Sequence, residues 1–238
     1  MASQQELTVL AVVPAYNERG KIGRVVRKLR DSDISTCVVD DASTDGTGDE
    51  AQAAGADFVV RHDKNRGVGA AIRTGIAKAR RHGFEAVVIV SGDDQHEPRE
   101  IPALLGALDR CDLAQGSRYL PGGSAPGMPR SRRWLTRLYS HLFRMATGFP
   151  STDATNGLRL FRLKLLDDLA IDLSPAWLDT YELEPYLLYQ VVRRGARVHE
   201  VPCTVRYHAR ESSTKMIPIL DWWRLLRPLV YLRLGLRK

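Results

Sequence analysis

Short apolar runs alternate with amphipathic stretches through the first half of the chain. Leu7 to Val13 is apolar except for Thr8 and reads as a buried strand. Ile22, Val25, Val26 and Leu29 then fall on one face of a helix, and Cys37-Val38-Val39 is a second short strand. The Ser43-Thr44-Asp45-Gly46-Thr47 turn can cap the helix that follows, before a third strand at Phe58-Val59-Val60. Val68 to Arg81 reads as a helix, Ala86 to Val90 as a strand, Ile101, Leu104, Leu105 and Leu108 as a helix face, and Asp112 to Ser117 as a strand. Strands alternating with helices predict an α/β fold built on a doubly wound, mostly parallel sheet.

The second half is less regular. Residues 120–130 are too rich in Gly and Pro for helix or strand, and a loop of that length beside a site is expected to act as a mobile lid. A basic helix follows, in which Arg132, Arg133 and Arg137 alternate with Trp134, Leu135, Leu138, Leu142 and Phe143. A helix from about Thr180 to Arg194 and a strand from Arg197 to Val205 complete the pattern. In the tail, Asp221, Arg224 and Arg227 form a polar stripe among Ile217, Leu220, Trp222, Trp223, Leu225 and Leu226. Pro228 is expected to break this helix, and Leu229 to Leu236 resumes it with Arg233 and Arg237 one turn apart.

Three of the strands end in polar residues that belong on one edge of the sheet, the edge where open α/β sheets bind ligands. After the first strand come Pro14, Ala15, Tyr16, Asn17 and Glu18; after the second, Asp40 and Asp41; after Ala86–Val90, the run Ser91-Gly92-Asp93-Asp94-Gln95-His96-Glu97-Pro98. Tyr16 offers a ring to stack on a base, and Glu18 and Asp41 are acceptors suited to ribose hydroxyls and a base N–H. The hard oxygens at 91–95 suit Mg²⁺ or Mn²⁺ bridging to a diphosphate, with a solvated acidic turn as the alternative. The Asn65-Arg66-Gly67-Val68-Gly69 loop either cradles a phosphate or lets a helix pack closely on the sheet. Neither GxGxxG nor a Walker lysine loop occurs in its usual context, so metal and basic side chains must neutralise the phosphates.

Val13-Pro14-Ala15-Tyr16-Asn17-Glu18, Val39-Asp40-Asp41-Ala42-Ser43-Thr44-Asp45-Gly46-Thr47 and Gly92-Asp93-Asp94-Gln95-His96-Glu97-Pro98 resemble the motifs of family 2 glycosyltransferases of the GT-A fold. Gly116-Ser117-Arg118-Tyr119, Asp153-Ala154-Thr155-Asn156-Gly157-Leu158-Arg159, Glu200-Val201-Pro202 and Ser212-Ser213-Thr214-Lys215 are similar to the dolichol-phosphate mannose synthase and polyprenyl-phosphate glycosyltransferase branch. The resemblance runs from about Leu7 to about Met216. It implies a nucleotide-sugar site of Pro14, Tyr16, Glu18, Val39, Asp41, Gly92, Asp93, Arg118, Arg210 and Lys215, with Asp93, Arg118, Asp153 and Lys215 nearest the chemistry. Where the family usually has Asp-x-Asp, this chain has Ser91-Gly92-Asp93. Metal ligation then leans on Asp93, with Gln95 and Ser91 in support and Asp94 as a substitute.

Under that resemblance, a sugar leaves a nucleoside diphosphate of the GDP-mannose, UDP-glucose or UDP-GlcNAc type with inversion and joins a polyprenyl or dolichyl phosphate. A phosphate acceptor is already anionic and needs no strong base. A hydroxyl acceptor would need one, with Asp153 the candidate; its other reading is a structural cap of the turn before Leu158. Two further readings stand beside this one, a transferase acting on a soluble acceptor and a non-catalytic nucleotide-sugar-binding module.

Composition narrows the rest. With 44% hydrophobic and 26% charged residues the chain is that of an ordinary globular protein, organised as a catalytic domain at 1–215 and a basic amphipathic tail at 216–238. Cys37, Cys111 and Cys203 fit neither a disulfide framework nor a zinc site, which favours a reducing, cytoplasmic compartment, and the amino terminus does not read as a signal peptide. The net charge is +7. Eight Lys/Arg against two acids in residues 206–238 supply +6 of it. No nucleic-acid motif accompanies that charge. Paired Trp flanked by Arg suits peripheral attachment to an anionic membrane surface; the alternative is a helix packed on the protein's own core. No apolar run reaches the roughly 20 residues that span a bilayer.

Overall fold

The expected β–α alternation holds through the first half of the chain in a computed structural model, which describes residues 7–207 and 220–236. In order come β1 (Val9–Ala15), α1 (Ile22–Arg30), β2 (Ser35–Asp40), α2 (Thr47–Ala53), β3 (Phe58–Arg61), α3 (Val68–Arg81), β4 (Ala86–Ile89), α4 (Ile101–Ala107) and β5 (Leu113–Ser117). Then follow α5 (Arg130–Thr147), β6 (Arg159–Arg162), α6 (Lys164–Asp168), α7 (Leu183–Arg193), β7 (Val198–Pro202) and α8 (Leu220–Arg233). The strands form one sheet in the order β3-β2-β1-β4-β6-β5-β7. All neighbours are parallel except β6, which runs antiparallel to both β4 and β5.

Helices cover both faces, which is why β1 and β4 read as continuous apolar runs rather than alternating ones. Val9, Ala11 and Val13 pack with residues of α1, α2 and α4, whereas Leu10 and Val12 face α3 and a layer that includes α5, α7 and α8. Gly75 of α3 lies against Val12, so close helix–sheet contact does depend on a glycine, but a different one from those expected. Gly67 and Gly69 instead meet the backbone of residues 178–180, and Ala70 N–H donates to the Asp179 carbonyl at 2.9 Å.

Four features depart from the sequence expectation. Strand β6 was not foreseen, because Arg-Leu-Phe-Arg places a charge in a sheet interior. Arg159 is fully buried there, and its guanidinium donates to Gln115 Oε1 at 2.8 Å and to the carbonyls of Ala154 at 3.1 Å and Glu184 at 2.6 Å. Apart from Arg130, which opens α5, and a single bridge from Ser124 to Thr204, the 120–130 segment is irregular as expected. Where a mobile lid was expected, however, it is hydrogen-bonded to the segment after β7. Ser124 N–H donates to the Cys203 carbonyl at 3.0 Å, and Tyr207 N–H to the Pro126 carbonyl at 2.9 Å. Helix α8 continues through Pro228, because packing against α5 and α7 overrides the local penalty. Its Trp222, Leu225, Leu226, Leu229 and Leu232 join the core beneath it. Finally, Arg227 of the expected lipid-facing stripe turns inward, its Nη2 2.6 Å from Oε1 of the fully buried Glu182. Trp223 stays exposed.

Candidate active site

The order of chain connections reverses between β1 and β4, and the carboxyl edge of the sheet at that reversal opens into a cavity of about 470 Å³. Pro14, Tyr16 and Glu18 reach it from the end of β1, Asp41 from β2, and Ser91, Asp93, Gln95 and His96 from β4. Gly92 lets these edges come together: a Cβ there would sit 2.9 Å from the Pro14 carbonyl oxygen. Val39, expected at the nucleotide, is fully buried in the core under α3 and does not line the cavity. Arg210 and Lys215 lie outside the described residues.

The two acids expected at the nucleotide, Glu18 and Asp41, are both engaged by the protein's own groups. Glu18 Oε2 pairs with Lys21 Nζ at 3.1 Å. Asp41 is nearly consumed by its own scaffold. Its Oδ1 lies 2.6 Å from His62 Nδ1 and accepts the Arg66 N–H at 2.9 Å, while Oδ2 accepts the Gly67 N–H at 2.7 Å. Asp41 therefore fixes the loop that leads into α3, whatever a ligand asks of its remaining lone pair.

At the β4 edge, Asp93 faces the cavity and its Oδ1 accepts the Gln95 N–H at 3.2 Å. Asp94, the expected substitute ligand, points elsewhere. Held at a positive φ of 63°, it is buried between Arg24 and Lys28 on α1, each 2.8 Å from its carboxylate. Burial pushes its pKa up, but hydrogen bonds from Lys28 and Arg24 outweigh that and leave it below the ordinary carboxylate range. His96 Nδ1 accepts the Ser91 N–H at 3.1 Å, which fixes this nitrogen as unprotonated. Among the described residues no three His, Cys, Asp or Glu side chains form a metal cage. A hexacoordinate Mg²⁺ needs only one or two carboxylates when substrate phosphates complete its shell. Asp93 with the Gln95 amide oxygen and Ser91 hydroxyl fits a metal shared with a diphosphate, and not one held by protein alone.

The opposite wall is basic. Arg118, at the end of β5, donates to Asp153 from its backbone N–H at 3.0 Å, from Nε at 2.6 Å and from Nη2 at 2.6 Å. It also reaches Tyr207 Oη and Thr155 Oγ1, both at 2.6 Å. Burial disfavours its charge, but the Asp153 carboxylate overrides that and holds the guanidinium firmly protonated. Asp153, the candidate base, is fully buried, absent from the cavity wall and occupied on both oxygens by Arg118. It positions Arg118 and is not presented to a substrate hydroxyl. Glu200 in turn holds the 151–153 turn, accepting the N–H groups of Thr152 at 2.8 Å and Asp153 at 3.2 Å.

Residues that sequence reading did not assign complete the cavity. Arg132 and Thr136 come from α5, Trp222, Arg224 and Leu225 from α8, and Glu184 from the first turn of α7. Arg132 lies over the Tyr207 ring at 5.1 Å, and Tyr139 Oη donates to the Leu225 carbonyl at 3.1 Å, fixing the two helices against each other. Only the basic, Trp-containing pattern of these helices signalled them, and it says nothing of which residues turn inward.

A protein-family model, Glycosyl transferase family 2, matches residues 10–170. The chain belongs to glycosyl transferase family 2. It is 34% identical over 204 residues to the undecaprenyl-phosphate mannosyltransferase of Micrococcus luteus, covering 83% of each chain. It is also 34% identical over 203 residues to the polyprenol monophosphomannose synthase of Mycolicibacterium smegmatis, covering 82% of this chain and 76% of that one. The crystal structure of mannosyl-3-phosphoglycerate synthase from Rubrobacter xylanophilus superposes with a TM-score of 0.66 over 98% of this chain and 76% of its own, at 18% identity, a likeness of fold. This family 2 protein is thus a glycosyltransferase with the GT-A fold, and the cavity at its β1/β4 edge is its candidate active site.

Proposed function

We propose that this enzyme transfers a hexose from a nucleoside-diphosphate sugar to a polyprenyl phosphate, with inversion at the anomeric carbon. One observation carries the reading: a single cavity joins the nucleotide wall of Tyr16, Glu18 and Asp41 to a wall built from Arg132, Arg224, Trp222 and Leu225. Arginines suit an acceptor phosphate, and the apolar side chains suit the isoprenoid chain behind it. The names of the two mannosyltransferase relatives point to the same acceptor class.

In this reading Tyr16 stacks on the base and Glu18 accepts from the ribose. Asp93, Gln95 and Ser91 would hold Mg²⁺ or Mn²⁺ against the diphosphate, and that ion would stabilise charge on the departing phosphate. Arg118, fixed and kept charged by Asp153, adds a positive charge that needs no reorganisation as negative charge develops. The acceptor phosphate is anionic before attack, so the confinement of Asp153 costs the reaction nothing.

Contact with an anionic membrane surface is proposed for α5 as well as α8. The outer face of α5 exposes Trp134, Leu138, Leu142 and Met145 among Arg130, Arg133, Arg137 and Arg144, and the helix contains no acid. Among the described residues no helix is long and apolar enough to cross a membrane. Thermal-shift titration with GDP-mannose, UDP-glucose and UDP-GlcNAc, with and without Mn²⁺, tests the donor half. Metal-dependent stabilisation by one of them is expected, and no response to any of them would remove the nucleotide-sugar reading.

A further inference from the structure

Glu184 is a carboxylate on the cavity wall to which the reaction above gives no role. Its main-chain carbonyl accepts from Arg159, but its carboxylate takes part in no hydrogen bond or ion pair among the described residues. Burial raises its pKa, with the nearby Arg159 charge opposing that rise. The carboxylate faces Gly157: a Cβ there would lie 2.7 Å from Glu184 Oε1. Gly157 has no positive φ, so what the missing side chain supplies is room for this carboxylate at the cavity. Asn156, the preceding residue, interacts with His96, and His96 feels the charge of Asp93. Residues 178–180, just before α7, pack on Gly67 and Gly69 at the start of α3. Glu184 therefore stands beside the 156–157 turn, on the same cavity that the α3 entry and the β4 edge line.

A half-buried carboxylate without a partner calls for hydrogen-bond donors from a ligand. A phosphate would be repelled by it. A cation would find one carboxylate with the Arg159 charge nearby and no companion acid. A neutral polyol satisfies it, because adjacent hydroxyls donate to both oxygens at once.

We infer that Glu184 is the sugar-holding residue: its carboxylate accepts hydrogen bonds from hydroxyls of the transferred hexose and orients the ring for attack by the acceptor. This rests on the proposed function. The test compares wild type, Glu184→Ala and Glu184→Gln. Calorimetry measures the affinity of GDP and UDP, and steady-state kinetics measures transfer from GDP-mannose and UDP-glucose to a short-chain polyprenyl phosphate.

Both variants should bind the nucleoside diphosphate within about twofold of wild type. Glu184→Ala should lose about tenfold or more in kcat/KM, the scale of a hydrogen bond to a charged group. Glu184→Gln keeps one accepting oxygen and should recover most of that loss. Wild-type kcat/KM in Glu184→Ala overturns the inference. So does a Gln variant as impaired as the Ala variant, which would mark a proton acceptor. Nucleotide affinity falling in step with kcat/KM overturns it too, since a merely structural residue behaves that way. A wild-type protein that binds neither nucleotide refutes the proposed function itself, and this inference with it.

Discussion

Replacing Asp153 by Asn separates an anchor for Arg118 from a catalytic base. Asp153 is fully buried and Arg118 is 7% exposed, joined by three hydrogen bonds of 2.6–3.0 Å. Removing one partner of a buried ion pair costs about 3–5 kcal/mol, because the other charge is left desolvated and unpaired. Asn keeps one accepting oxygen but presents an NH₂ group to a guanidinium that can only donate. Arg118 retains Tyr207 and Thr155 and still reaches the cavity, so the lower end, about 3 kcal/mol, is expected. For a chain of this size each kcal/mol moves the melting temperature by about 2–4 °C, so Tm should fall by about 6–12 °C. Thermal and urea unfolding followed by circular dichroism would measure this. Adding Arg118→Met to Asp153→Asn should restore part of the stability, since the orphaned charge is then gone. An Asp153→Asn protein that melts within about 2 °C of wild type would refute the anchoring argument.

Asp94→Asn should cost about 1–2 kcal/mol at pH 7, a modest figure because Arg24 and Lys28 are each 38% exposed. Since the folded-state pKa of Asp94 is depressed, its stabilisation is full above the ordinary carboxylate value, about 3.9, and disappears as pH falls through the folded value. Urea midpoints of mutant and wild type should therefore converge in acid; a gap undiminished at pH 2 would contradict this. Asp41→Ala should weaken nucleotide binding and also lower stability by about 1–3 kcal/mol, because it frees the Arg66 and Gly67 N–H groups. Unchanged stability by urea titration would show that the loop holds itself. Trp134→Ser with Leu138→Ser should reduce co-sedimentation with anionic vesicles and leave Tm unaltered. Raising the salt should weaken the wild-type interaction, and salt-insensitive binding would argue against headgroup attraction.

The parallel half of the fold and the polar strand ends were legible because periodicity and turn chemistry agree there. Tyr16, Asp41 and Asp93 each follow an apolar run whose length and composition mark a buried strand. Strand β6 was not legible, since Arg159 reads as a surface residue until Gln115, the Glu184 carbonyl and the nearby Ala154 carbonyl surround it. Asp153 and Asp94 were recognisable as acids beside a site. Which way each carboxylate points is set by Arg118, Arg24 and Lys28, and no local pattern encodes those partners. The Pro228 expectation failed because tertiary packing of α8 outweighs a local breaker. Glu184 and Arg132 sit in ordinary amphipathic helices, and only the assembled cavity distinguishes them from a solvated face.

The central claim is tested most directly by incubating the protein with GDP-mannose or UDP-glucose carrying a labelled sugar, polyprenyl phosphate and Mg²⁺ or Mn²⁺. The label extracted into organic solvent is then measured for wild type and Asp93→Ala. The account predicts label in a lipid-soluble, acid-labile product with wild type, and loss of nearly all of it with Asp93→Ala. Label that passes only to water or a soluble acceptor, or full transfer by Asp93→Ala, would contradict it.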